Sequence, residues 1–337
     1  MNIKTVYIET TNKCNFNCRT CYNRSGHNLK TKEISLQDIR QIISLFSKYG
    51  AKHYLLSGGE PTLHSEFDAI LDMIESRPDL SFGIVTNGSC TNPHFIEVLK
   101  HNEHLSLQIS LDGSCEEQNS ITRGAGHFMP TIEFIRSIQP LQEKPLLKMV
   151  ISKANLSDVE NFYRLAVSLN CIPEYAFIYR SGNGVDNWES KVLSAIEKNE
   201  AVNLIDHLNH EYGISAFLPI CTTKCPFSSE KQKELSLCIK TDGSIQPCQS
   251  LYHTDFSLGN VFAFKESMFK KRLDTICELA KKRLSIDFGC ARCILQSFCG
   301  RGCMAEAYNL TLNPMEDDGN CLLRKIQFIN FNIKKQT

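Results

Sequence analysis

No stretch of this 337-residue chain holds about 18 consecutive apolar residues, so no segment reads as a membrane-spanning helix. No apolar run follows Met1-Asn2-Ile3-Lys4 either, which argues against a signal peptide and for a cytoplasmic protein. Excess charge of one sign is also missing, since Lys plus Arg and Asp plus Glu both number 37. Without a basic surplus, neither nucleic acid nor an anionic membrane is an expected partner. Low-complexity segments are absent. What the chain has is a globular composition, 42% hydrophobic and 22% charged, at a length beyond which a single core stops growing. One large and one smaller domain are expected.

Cysteine is the abundant residue, at 16. In a chain with no secretion signal, cysteines serve as metal ligands more readily than as disulfides. Cys14, Cys18 and Cys21 read Cys-x3-Cys-x2-Cys, directly after the strand-like run Thr5 to Thr10. Three thiolates can hold three irons of a four-iron, four-sulfur cluster, and the fourth iron stays open to a ligand. Near the other end, Cys290, Cys293, Cys299 and Cys303 read Cys-x2-Cys-x5-Cys-x3-Cys. Gly243 leads into Cys248 as Gly-x4-Cys, and Cys321 lies downstream. Zinc is the competing metal, because Cys-x2-Cys pairs also build zinc ribbons.

Between the cysteine groups, strand-like and helix-like segments alternate. Strands are predicted over 5–10, 53–56, 81–86, 104–111, 145–151 and 174–179. Helical spacing is seen at Leu36, Ile39, Ile43 and Phe46, behind a capping-box-like Ser35 to Asp38. Further helices are predicted near 65–76, 93–100, 128–138 and 157–169. Six strands with helices between them give an α/β fold, a partial (β/α)6 TIM-like barrel over 1–180. A polar bridging helix occupies the linker, 181–215, and a small cysteine-rich domain follows over 216–330. Functional groups in such barrels gather at the C-terminal strand ends. Gly58-Gly59-Glu60-Pro61, Asn87, Ser110 and Asp112 stand at such ends, and Arg123 follows. The runs Lys270-Lys271-Arg272 and Lys281-Lys282-Arg283 share a helix near 266–284 and read as a solvated face, whereas Cys277 reads as core.

Taken together, these motifs resemble the radical S-adenosylmethionine (SAM) enzymes that carry a C-terminal SPASM domain. The resemblance covers nearly the whole chain. It implies three four-iron clusters, one SAM-binding and two auxiliary, with SAM as cofactor. Cys14, Cys18 and Cys21 would hold the first cluster. Cys221, Cys225, Cys248 and Cys303 would hold auxiliary cluster I, and Cys290, Cys293, Cys299 and Cys321 auxiliary cluster II. Gly58, Gly59, Glu60, Pro61 and Asn87 would line the cofactor, with Glu60 accepting from its amino group. Ser110 and Asp112 would face its ribose or methionine portion. Arg123 would pair with its carboxylate, a group that suits a guanidinium. Phe177 on the sixth strand could pack on adenine or belong to the barrel core. Two departures stand out. Thr20 replaces the aromatic residue usual before the third cysteine, with Tyr22 after it instead. Seventeen residues separate Cys225 from Gly243, a longer spacing than usual, whereas four separate Cys238. Cys225 is preferred as ligand, because Leu235 to Ile239 reads as a hairpin strand.

The implied reaction is reductive cleavage of SAM to a 5′-deoxyadenosyl radical and hydrogen abstraction from an unactivated carbon. The substrate would be a ribosomally made peptide or a natural product, ending in oxidation, a cross-link or epimerisation. Cys238 is a candidate hydrogen donor. Gln249 stands after Cys248, where the sulfatase-maturing branch places an Asp base, and an amide cannot act as that base. The first strand begins near residue 3, which leaves no room for the leader-binding domain of many peptide maturases. Alternatives are a dehydrogenase or epimerase of an aminoglycoside or sugar-type molecule, and a non-catalytic electron carrier. An external flavodoxin- or ferredoxin-type donor would supply the electron.

Overall fold

The computed structural model describes residues 2–26, 30–219, 225–228, 234–251, 253–285, 290 and 293–334. Six strands come first: β1 (Ile3–Thr11), β2 (His53–Gly58), β3 (Ser81–Thr86), β4 (Leu105–Ser110), β5 (Leu146–Ile151) and β6 (Ile172–Phe177). The helices among them are α1 (Leu36–Ser47), α2 (Phe67–Glu75), α3 (Pro93–His101), α4 (Glu116–Arg123), α5 (Phe128–Ile138) and α6 (Val159–Ser168). Each neighbouring strand pair is parallel, which gives the expected partial barrel. Helix α4 has no counterpart among the sequence expectations. Its Glu116-Glu117-Gln118-Asn119-Ser120 segment carries no apolar periodicity to read.

The C-terminal part then returns to this sheet. β7 (Leu235–Ile239) lies parallel beside β1, with Tyr7 level with Cys238. β8 (Ser244–Gln246) and β9 (Gly259–Asn260) continue antiparallel, so the order is β6-β5-β4-β3-β2-β1-β7-β8-β9. The predicted hairpin is present, yet it extends the barrel sheet instead of standing in a separate body. Helix α7 (Ala195–Tyr212) bridges the two parts. It opens on a Ser194–Glu197 capping box and stops at Gly213, which is left-handed at φ 61. Helices α8 (Glu266–Ser285), α9 (Gln296–Cys299), α10 (Met304–Thr311) and α11 (Cys321–Lys334) complete the chain.

Strand alternation sorts the side chains into two faces. Val6, Ile8, Tyr54, Leu56, Phe82 and Ile84 point outward and are buried beneath the helices. Each such side chain contributes about 1.5–3 kcal/mol by leaving water. The opposite set carries the polar side chains: in register across the sheet, Glu9 is level with Ser57, Ser110 and Glu174 with Lys148, and Cys238 with Tyr7, while Tyr7 is also level with Leu55 and Gln108 with Leu146. These residues face the inside of the barrel.

Candidate functional site

The Cys14–Cys21 loop leaves the C-terminal end of β1 and is clamped from three sides. Behind it, Gly59 N–H donates to Thr11 O at 2.7 Å and Glu60 N–H to Lys13 O at 2.8 Å. A Cβ on Gly59 would stand 2.1 Å from Lys13 O, so only glycine allows this approach. At both paired glycines the strand end packs on the backbone that leads into the cysteine loop. On the far side, Asn183 donates from its backbone to Cys21 O and from its amide to Cys18 O, both at 2.8 Å. Gly182, with φ +55, lies where a Cβ would sit 2.3 Å from Cys21 O. Third, the Asn87 amide donates to Asn15 Oδ1 at 2.9 Å. The Asn183 clamp was not foreseen from sequence. Only the turn-like Ser181-Gly182-Asn183-Gly184 hinted at it.

Glu60 is an internal brace. Its Oε1 accepts from Thr62 N–H, the Thr62 hydroxyl and the Thr86 hydroxyl, and its Oε2 accepts from Asn87 N–H at 2.7 Å. Burial raises its pKa, and the four donors work against that rise. Oε2, with one donor, is the oxygen with spare accepting capacity. Pro61, also buried, starts the short helical turn that follows. Asp112 is likewise turned inward, at 0% exposure. Val150 N–H donates to its Oδ1 at 3.0 Å, while the Thr122 and Thr20 hydroxyls donate to Oδ2. Asp112 thus ties the cysteine loop, α4 and β5 together. Ser110 keeps its place on the inner face.

Arg123, at the end of α4, is 8% exposed. Its guanidinium lies over the Phe16 ring at 5.6 Å, and His127 stacks on that ring with centroids 3.6 Å apart. Among the described residues Asp112 is its nearest acid, at 3.8 Å, and its Nε has no hydrogen-bond partner. Burial pushes the Cys14 thiol up to about 12, with Glu60, Cys18 and Cys21 adding to the rise. Burial raises Cys18 too, and Arg123 opposes it. Three crowded thiols beside a buried cation with an unused N–H suit an anionic thiolate-ligated cluster and a carboxylate ligand.

The inner face holds two ion pairs. Lys240 Nζ stands 2.7 Å from Glu9 Oε2, and Lys148 Nζ stands 3.0 Å from Glu174 Oε1. Cys238, fully buried on β7, points its thiol toward Glu9 Oε1 at 3.9 Å. Tyr22 belongs to the same group. Burial raises its phenol well above the usual range, and Glu9, Cys238 and Cys21 add to that. Phe177 takes no part. It is level with Ile151 on the outward face, and Lys198 of α7 covers its ring at 5.6 Å. One step of strand parity separates it from Ala176, which does face inward level with Val150. Of its two readings, adenine packing or barrel core, this placement favours the core. Gln249 is half-buried in the turn after Cys248.

The C-terminal cysteines form two neighbourhoods. Burial pushes Cys225 up to about 12, with Cys248 adding to the rise and Arg283 opposing it. Cys303 is raised well above the thiol range by burial, Glu306, Cys248 and Cys225. Thus Cys225, Cys248 and Cys303 lie within electrostatic reach of one another. Cys321 is raised by burial, with a contribution from Cys299. Cys290 and Cys293 share a turn, Cys293 N–H to Cys290 O at 2.9 Å, which runs into α9 and Cys299. Gly300, Arg301 and Gly302 follow with φ 53, 62 and 72, a left-handed run that swings the chain back to Cys303. Asp318 fixes that return by accepting from Cys303 N–H at 2.8 Å. Cys221 lies outside the described residues. Cys277 is core, as expected, at 4% exposure. The basic run ending in Arg283 is only partly solvated, because Arg283 is 1% exposed.

The radical SAM superfamily model matches residues 8–166. The chain is 23% identical over 327 residues to the mycofactocin maturase of Mycolicibacterium smegmatis, covering 93% of this chain and 81% of that one. Its fold is similar to that of anSMEcpe with bound AdoMet, with a TM-score of 0.77 at 16% identity over 98% of this chain and 97% of that one. Streptococcus suis SuiB bound to precursor peptide SuiA gives a TM-score of 0.74 at 16% identity, over 94% of this chain and 75% of that one.

Proposed function

This chain carries a radical SAM domain over residues 8–166, and from that premise we propose that it modifies a ribosomally made peptide. A four-iron cluster with SAM supplies reductive cleavage of SAM and a carbon radical able to abstract hydrogen. The observation that carries the reading is the cysteine loop itself, clamped at the barrel mouth with the buried Arg123 guanidinium over Phe16 of that loop. Cys14, Cys18 and Cys21 would hold the cluster, and the Arg123 guanidinium would take the SAM carboxylate. Oε2 of Glu60 would accept from the SAM amine, with Ser110 near the sugar.

The polar inner face would hold the substrate residue, through Glu9, Lys240, Lys148 and Glu174. Cys225, Cys248 and Cys303, joined by Cys221, would hold one auxiliary cluster. Cys290, Cys293, Cys299 and Cys321 would hold another. An external low-potential flavodoxin- or ferredoxin-type protein would supply the electron. The peptide class is supported by the kinship with a mycofactocin maturase and by the fold shared with SuiB, which is crystallised with a precursor peptide.

The placement of Cys238 favours a second reading of the outcome. Its thiol lies on the inner face beside Glu9, where it could return a hydrogen atom to a substrate radical and give epimerisation. The S–H bond would break as the C–H bond forms, and an electron and a proton would then restore the thiol. A direct test is incubation of the reconstituted protein with SAM and dithionite, alone and with precursor peptides encoded beside its gene. Formation of 5′-deoxyadenosine that rises with one peptide, and a mass or stereochemical change in that peptide, is the expected result. SAM cleavage that no such peptide stimulates would sink the peptide reading.

A further inference from the structure

Arg283 is a buried cation with no ion pair of its own among the described residues, although Asp318 and Asp317 lie near enough to act on it. On α8 it falls on the inward stripe with Ile276 and Ala280, directly after the exposed Lys281 and Lys282. Among the described residues its hydrogen bonds all run to carbonyls: Nη1 donates to Pro314 O and Glu316 O, and Nη2 donates to Arg301 O at 2.7 Å. Its Nε has no partner. The nearby Asp318 is already committed. Arg324 takes both its oxygens in a bidentate pair, and Cys303 and Asn320 N–H groups bind them as well. Carbonyl dipoles alone leave a desolvated charge several kcal/mol short of balance, so a buried guanidinium calls for an anion.

The surroundings say which anion. The carbonyl that Nη2 binds belongs to the Cys299–Cys303 loop. Helix α8 packs on the turn Pro226–Ser228, which directly follows Cys225. The charge of Arg283 is felt by both Cys225 and Cys303. The same design recurs at the barrel mouth, where buried Arg123 serves the other cysteine trio.

We propose that Arg283 is the counter-ion of an anionic iron–sulfur cluster held by Cys225, Cys248 and Cys303, and that its charge raises the reduction potential of that cluster. The inference rests on the auxiliary-cluster reading above and names a residue that tunes it. Nothing in the role requires Arg283 to touch substrate. It acts through the cluster, by making an added electron easier to accept.

The test uses the full chain, reconstituted, as wild type, Arg283→Lys and Arg283→Gln. Iron and sulfide are counted, and each cluster is followed by redox titration with electron paramagnetic resonance. In Arg283→Gln the reduced-to-oxidised ratio of one cluster, read at its wild-type midpoint, should fall about tenfold, which is about 59 mV for one electron. The N-terminal cluster should not move. Arg283→Lys keeps the charge and loses the fork, so it should keep its iron and its ratio within about threefold, a small shift on the same scale. An unmoved ratio in a fully loaded Gln variant overturns the proposal. So does equal loss of four irons from both variants, which would mark Arg283 as a plain staple between loops. If the Gln variant does not fold, the Lys variant decides alone: full iron and an unmoved ratio support charge compensation, and lost iron overturns it. A wild type with about four irons in all would instead remove the auxiliary-cluster reading itself.

Discussion

Lys240 Nζ lies 2.7 Å from Glu9 Oε2, so the strand that returns from the C-terminal half is tied to the first strand of the chain inside the barrel. Asn23 shares the contact: Lys240 donates to its Oδ1 at 2.7 Å, and its own amide donates to Glu9 Oε2 at 3.2 Å. Glu9 is 1% exposed. Removing the lysine leaves a buried carboxylate without its cation, which costs about 3 kcal/mol. Lys240→Met should lower unfolding stability by that amount in urea, and Glu9→Gln with Lys240→Met should lose less than the sum of the two single changes. A loss below about 1 kcal/mol would mean the pair is screened like a surface one.

Gly182→Ala tests the clamp on the cysteine loop. The added Cβ would meet Cys21 O at 2.3 Å and Tyr22 O at 2.4 Å, in a backbone conformation that L side chains resist. Iron analysis after reconstitution should show about four irons fewer than wild type, with the C-terminal clusters kept. Full iron content would show that the loop tolerates a shift at this point.

Much of this architecture is written locally and much is not. The six barrel strands and the helices around Ile43, Phe95 and Ile135 follow from apolar period and turn residues close in sequence. Helix α4 has no such period, and it holds Arg123 in place through Asn119 and Thr122 contacts with Asp112. The seat of β7 beside β1 depends on a pairing between Tyr7 and Cys238, far apart in the chain, which no local pattern encodes. Asp112 and Glu60 read in sequence only as cofactor-facing, and the bracing role of each was not legible, because a carboxylate that braces a fold and one that binds a ligand look alike there. Arg283 shows the reverse case. Its spacing from Ile276 and Ala280 marks the inward stripe, but its neighbours Lys281 and Lys282 suggest solvent.

Glu60→Gln replaces an acceptor by an amide that also donates, against four donors already aimed at it. Loss of one such charged bond costs about 1.5–3 kcal/mol. The apo-protein should lose that much stability, and SAM affinity should fall with the cluster count unchanged. Unaltered stability would contradict the bracing role, and an unchanged dissociation constant for SAM would contradict the cofactor role.

Cys238→Ala separates three roles. Cys238 is fully buried on β7, with its thiol 3.9 Å from Glu9 Oε1, and the auxiliary-cluster reading above does not use it as a ligand. Iron content should therefore be unchanged, and stability should fall by only about 1 kcal/mol. The variant should still make 5′-deoxyadenosine. If the outcome is epimerisation, the inverted product should be missing. Loss of four irons would instead make Cys238 a ligand.

The most direct test concerns the barrel mouth. Wild type and the triple variant Cys14→Ala, Cys18→Ala, Cys21→Ala are reconstituted anaerobically, and iron, sulfide and dithionite-driven 5′-deoxyadenosine are measured side by side. The expected result is about twelve irons and twelve sulfides in wild type, about four fewer of each in the variant, and no 5′-deoxyadenosine from it. A triple variant that still cleaves SAM would contradict the assignment of Cys14, Cys18 and Cys21, and with it the proposed chemistry.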